Sequence, residues 1–333
     1  MAMIELKNAA MQVVVDPDHG AEVVRVAGAD GINVLSAPDW QSPLPASASR
    51  SYGNEILDWL SEYRGGWQEL FPNAGPPCEV MGAPLAFHGE VSRARWAWEW
   101  IEPGTFARMR TPARLPLVLE RDMRIDPDRP VLYLEERVFN DCPFEVPYLW
   151  SHHPAFGPPL AEAGARIDLP ARRIVADAGL DGPSVDVRPG SESAWPFAVG
   201  RDGGSIDLSV VPAPPVQRLV YAADLEGGWF ALRNSARGLG VAMAWDLAVF
   251  PHLWFWQEIG GSSGMPWYGR AAIAALEPAS AWPSQGLAAA HRAGVAHVLK
   301  PCQTASTKLT CVLFAATDAP VAGVTTNGEV VLG

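Results

Sequence analysis

Three short polar islands interrupt an apolar, tryptophan-rich chain: Phe87-His88-Gly89-Glu90, Trp150-Ser151-His152-His153-Pro154-Ala155-Phe156-Gly157, and Ala275-Leu276-Glu277-Pro278. Histidine can give or take a proton near neutrality, and a desolvated glutamate is a stronger base than a solvated one. An imidazole and a carboxyl brought together suit general acid–base catalysis. Indole rings suit the C–H face of a sugar while keeping an N–H for hydrogen bonding, and the chain has 14 tryptophans. The chemistry suggested is proton transfer on a carbohydrate.

Each island also admits a plainer reading. Val146 to Trp150 reads as a strand that delivers His152 and His153 at its end. Neighbouring side chains on a strand face opposite ways, so only one of the two rings can enter a given cleft. Pro154 disfavours helix at His153 and keeps it extended, yet such a triplet serves equally in a surface loop. Glu277 follows the strand Ala271 to Leu276 and is either a desolvated base or a solvated strand end. His88 precedes a glycine that permits close backbone approach or simply a turn. Arg64, before Gly65-Gly66, either grips a sugar hydroxyl or pairs with Glu62 or Glu69. Around residue 255 the pattern sets Trp254 and Trp256 against Leu253, Phe255 and Gln257. Most of the 14 tryptophans are expected in the core, with one or two near Gln257 lining a cleft. A metal is not expected, because adjacent histidines do not share a strand face as His-x-His does.

These residues need a frame, and the frame reads as β. Met11–Val15, Glu22–Val26, Val91–Ile101, Leu117–Ile125, Val131–Asn140 and Leu309–Phe314 are short β-rich runs bounded by Gly, Pro, Asp and Asn. Trp96, Trp98 and Trp100 alternate with Arg95, Ala97 and Glu99. Val324 to Val331 reads as a hairpin about Asn327-Gly328. Helix is expected only from Asn54 to Tyr63 and from Gln285 to Arg292. With 31 glycines and 31 prolines, turns are frequent and no βαβ series fits. The expectation is one domain over residues 1–333, a large antiparallel two-sheet β-sandwich with few short helices.

A net charge of -12 with scattered basic residues argues against nucleic acid as a partner. The only lysines are Lys7, Lys300 and Lys308, which disfavours Schiff-base chemistry. The four cysteines show no metal or CxxC spacing and are expected reduced. No apolar run approaches the ~20 residues of a membrane span, so a cytoplasmic protein without a membrane partner is expected. A homodimer is one assembly the sequence allows.

The order of the islands resembles the aldose 1-epimerase (galactose mutarotase-like) superfamily, over the chain up to about residue 315. Asp16 to Val24 looks like the family's first hairpin, and Gly65-Gly66 with Phe71-Pro72-Asn73-Ala74-Gly75 like its pocket segment. Phe87-His88-Gly89 resembles the family's substrate-binding motif. Asn140 with His153-Pro154-Ala155-Phe156 resembles its acid motif, with Ala155 where an aromatic is common, and Leu276-Glu277-Pro278 resembles the segment of its glutamate. The resemblance implies the superfamily's β-sandwich and an isomerase that opens and recloses a free sugar ring without a cofactor. His153 would be the general acid and Glu277 the general base. Arg64 and His88 would bind the sugar, with Asp246 in the place of the family's binding aspartate and Trp254 and Gln257 nearby. A carboxylate near His153 is expected to keep the imidazole charged near neutral pH. The alternatives are a non-catalytic carbohydrate-binding or regulatory protein on the same scaffold, and, more remotely, lyase or glycosidase chemistry, which usually needs a second carboxylate.

Overall fold

The computed structural model describes residues 3–38 and 51–333. Two antiparallel sheets dominate. The larger runs edge to edge through Ile4–Lys7, Met11–Asp16, Glu22–Gly28, Trp67–Leu70, Ser151–Phe156, Ala272–Ala279, His252–Ile259, Val216–Leu225, Ala171–Ala176 and Glu192–Ala194. The smaller runs through Arg166–Asp168, Trp229–Asn234, Leu239–Trp245, Thr304–Ala315, Val131–Asn140, Leu117–Ile125, Phe106–Pro112 and Ala97–Glu102. Their facing apolar side chains close one core, with Val13, Phe156, Phe255 and Leu276 from the first sheet and Met109, Leu119, Leu134 and Leu309 from the second. The chain is an all-β sandwich. Its two α-helices among the described residues are α1 (Glu55–Glu62) and α2 (Leu287–Arg292).

In the smaller sheet Phe106–Pro112 and Val131–Asn140 alternate buried and more open residues, as one-sided burial requires, whereas Trp229–Asn234 and Leu239–Trp245 are buried almost throughout. The centre of the larger sheet does not: all six residues of Ser151–Phe156 are buried. Its inner face meets the core. Its outer face lies beneath α1 and the Trp267 segment, which form a separate small cluster with Ala155, Ile273 and Ala275. The site-bearing strands are therefore covered on both sides.

Several boundaries differ from the sequence expectation. Leu149 and Trp150 break the run from Val146, so the strand beginning at Ser151 holds both histidines in its interior. Glu277 likewise lies inside a strand that continues to Ala279. Pro154 and Pro278 sit within these strands and remove ladder donors beside both residues. Residues Glu90–Ser92 form a 3-10 turn, and the strand begins only at Ala97. Trp96 precedes that strand, buried with its indole N–H on the Val91 carbonyl (3.1 Å). Trp98 is exposed on the edge.

The inner faces of the two sheets meet in a knot of charge. Arg121 donates Nε to Glu136 (2.7 Å), Nη1 to the Ala21 carbonyl (3.1 Å) and Nη2 to the Glu69 carboxylate. Glu69 also accepts the Trp150 indole N–H. His152 takes the Trp67 indole N–H on Nδ1 (3.1 Å), which leaves the proton on Nε2, 2.9 Å from Glu136. All of these side chains are buried. Removing one partner of such a network strands charge in a medium that cannot solvate it, typically at a cost of about 3–5 kcal/mol.

Arg121→Leu is therefore expected to lower the urea unfolding free energy by about 3–5 kcal/mol. Arg93→Ala, which loses only a partly exposed pair with Glu62 (2.6 Å), should cost less than about 1 kcal/mol in the same assay.

Candidate functional site

The register of the central strands assembles the site. Ser151 pairs with Ala279 and Ala155 with Ala275, which sets His153 opposite Glu277. Gln68 pairs with His153 from the other side, and Trp254 with Glu277. Directly paired residues point to one face, so Gln68, His153, Glu277 and Trp254 form a row across the outer face. His152 and Glu69, one residue along, point into the core knot. His153 Nε2 lies 3.5 Å from Glu277 Oε1.

α1 lies over this row. Asn54 caps it, its side chain accepting the Ile56 and Leu57 amides (3.0 and 3.1 Å). Trp59 and Tyr63, four residues apart, share one helical face. The Trp59 ring is 6.0 Å from His153 and 4.9 Å from His88, and the Tyr63 ring is 5.8 Å from His153. Trp256 (5.8 Å from His153) and Trp267 (5.6 Å from Tyr63) complete an aromatic enclosure. The chain leaves α1 through Gly65, whose φ is +78° and whose place no Cβ could share with the Ser36 carbonyl at 2.2 Å.

His88 reaches the same enclosure, its ring centroid 6.0 Å from that of His153. It adopts a left-handed φ of 60°, and its Nδ1 accepts the Gly75 amide (3.2 Å), which leaves the proton on Nε2. Gly89 supplies close approach rather than turn freedom alone: a Cβ there would meet the Phe71 carbonyl at 2.1 Å.

The pair is deeply buried, and this decides its electrostatics. Burial holds His153 down at about 4, which overturns the expectation that the neighbouring carboxylate would keep it charged. At 3.5 Å, with no hydrogen bond formed, the carboxyl does not offset the lost hydration. Burial pushes the Glu277 carboxyl well above its ordinary range. His88 is held well below its ordinary value by burial and then by His153. With burial disfavouring charge on both members, a proton shared by the pair rests on the carboxyl rather than on the imidazole.

The other candidates have their polar groups engaged within the protein. Arg64 pairs with neither Glu62 nor Glu69; it binds Asp16 (3.1 Å) and Glu22 (2.6 Å). Gln257 alternates with Trp256 and so stands on the inner face, where Arg218 donates to it at 3.1 Å. Trp254 shares the face of Glu277, but its indole N–H is committed to the Ala281 carbonyl (2.8 Å). Asp246 is exposed and caps its own turn through the Ala248 amide (2.9 Å).

Trp256 is one of the indoles expected near Gln257, whereas Trp59, Tyr63, Gln68 and Trp267 line the candidate site without being singled out by the sequence. The one available signal is the aromatic i, i+4 pair on the helix capped by Asn54. As for metals, Glu69, Glu136 and His152 bring ligand atoms within 4.8 Å of one another. Arg121 already neutralises both carboxylates, and the Trp67 indole occupies His152 Nδ1, so this donor set does not fit a cation.

Neither a family model nor a curated protein matches the sequence. Solved structures do match in fold. The Slr1438 protein from Synechocystis sp. PCC 6803 superposes with a TM-score of 0.67 at 16% identity, covering 95% of this chain and 96% of that one. A candidate aldose 1-epimerase from Escherichia coli K12 gives 0.65 at 13% identity (95% and 99%). A galactose mutarotase-like protein from Lactobacillus casei gives 0.64 at 17% identity (94% and 100%). The two-sheet sandwich described above is thus the galactose mutarotase-like fold.

Proposed function

We propose that the protein interconverts the α and β anomers of a free sugar by acid–base ring opening, with His153 and Glu277 as the catalytic residues and no cofactor. The observation that carries this is the pair itself: an imidazole and a carboxyl 3.5 Å apart, facing outward from adjacent strands into an aromatic enclosure. His88 adds an Nε2–H donor beside them, and Trp256 an indole surface for the sugar's C–H face.

The pair carries the single proton that anomerisation needs. A sugar hydroxyl donating to Glu277 favours its carboxylate form, and the proton passes to His153. Glu277 then takes the proton from the anomeric hydroxyl as His153 donates to the ring oxygen. The C1–O5 bond breaks, leaving the open aldehyde. Rotation about C1–C2 presents the other face, and closure reverses both transfers. Each group should contribute about 10²–10⁴-fold.

One observation favours a second reading, a sugar-binding protein without catalysis: in the closed site burial holds His153 neutral, short of the cation the acid step requires. Calorimetry that registers sugar binding by protein which never accelerates anomer exchange would select that reading.

Glu277→Gln and His153→Asn should each reduce catalysed exchange, followed by NMR line exchange or polarimetry, by about 10²–10⁴-fold. A variant that retains the full rate removes its residue from the mechanism.

The pH profile follows from the shifts. The singly protonated pair is lost on the acid side when His153 gains a second proton, so the rate should fall as pH drops through about 4. On the alkaline side it should fall only above the ordinary carboxylate range, where Glu277 at last releases its proton. An acid limb near 6.5, the ordinary histidine value, would contradict this.

A further inference from the structure

Three fully enclosed polar atoms around the His153–Glu277 pair have no partner among the described residues: the Trp59 indole N–H, the Tyr63 hydroxyl and the Gln68 amide oxygen. Their residues are 4%, 0% and 2% exposed. Leaving such a group unpaired costs about 1–3 kcal/mol, and a fold rarely concentrates several in one place. They are not scattered. The Trp59 and Tyr63 rings lie 4.7 Å apart, tilted by 30°, and each is within 6.0 Å of the His153 ring. Gln68 is the direct cross-strand neighbour of His153.

We infer that Trp59, Tyr63 and Gln68 determine specificity by binding sugar hydroxyls away from the anomeric carbon. This rests on reading the site as a sugar site. The three atoms complement a polyol well, because an indole N–H only donates, an amide oxygen only accepts, and a phenol does both. A ring hydroxyl also donates once and accepts, so one held between Trp59 and Gln68 satisfies both. A site built to pair a hydroxyl rejects an analogue that lacks it far more strongly than an apolar pocket rejects an added methylene. The substrate expected is a sugar with unblocked secondary hydroxyls on the side facing α1 and the Trp67–Leu70 strand.

Trp59→Phe, Tyr63→Phe and Gln68→Leu test this, since each deletes the polar atom and keeps most of the packing. The probes are glucose, galactose, mannose and xylose, then the monodeoxy derivatives of whichever binds best by calorimetry. Each variant should weaken binding about tenfold, raise KM with kcat within about twofold, and stop discriminating one particular deoxy sugar. Melting temperatures should stay level or rise, because an unpaired buried polar atom has been removed. Unchanged affinity in all three variants, or a fall in melting temperature with no loss of discrimination, would overturn the assignment. Binding without exchange would remove only the catalytic reading and leave this one standing. Failure of the wild-type protein to bind any of the four sugars would overturn both.

Discussion

Arg121 is the point on which the geometry of the molecule turns. Its guanidinium ties Glu69 on one sheet to Glu136 on the other, and His152 closes the circuit from the strand that also carries His153. Hydrophobic contact alone tolerates small slides between sheets, because it has no direction. A buried ion network does not, since every displaced bond leaves an unsolvated charge. The back of the site is thereby fixed by directional bonds, and the front inherits that precision through backbone shared residue by residue.

The front is governed by the opposite principle. There the polar groups are enclosed with few partners, and burial shifts both members of the pair toward their neutral forms. Perturbed ionisation of this kind is typical of functional sites, although structural pairs show it as well. The contrast within one sheet is informative. On the inner face the charges of the Arg121 knot are answered, while a residue away on the outer face several hydrogen-bonding groups wait. The first arrangement is what stability requires. The second makes physical sense when the missing partners arrive with a ligand.

Much of this frame is legible in the chain. Leu117–Ile125 and Val131–Asn140 declare their observed limits, because one-sided burial leaves a clean alternation. The strands that matter most are harder. Prolines at 154 and 278 look like terminators, and burial on both faces erases the alternation that marks a strand. Gln257 shows the limit of local pattern: its parity against Trp254 and Trp256 is visible, but which parity belongs to the site depends on the pairing of Trp254 with Glu277. That pairing joins residues more than twenty apart. The contribution of α1 is hidden for the same reason, since a capped aromatic helix does not declare which surface it will cover. Arg64 escapes a local reading because its partners, Asp16 and Glu22, lie more than forty residues upstream.

His152 and His153 are the same molecule hung on consecutive links, yet one is structural mortar and the other faces the enclosure. Only odd–even position separates them. A shift of the strand by a single residue would exchange their surroundings, setting one ring against Arg121 and the other beside Glu277, with composition unchanged. The anchoring of His152 by Trp67 and Glu136 therefore acts as a frame lock. It lets two chemically identical side chains hold different offices without ever trading them.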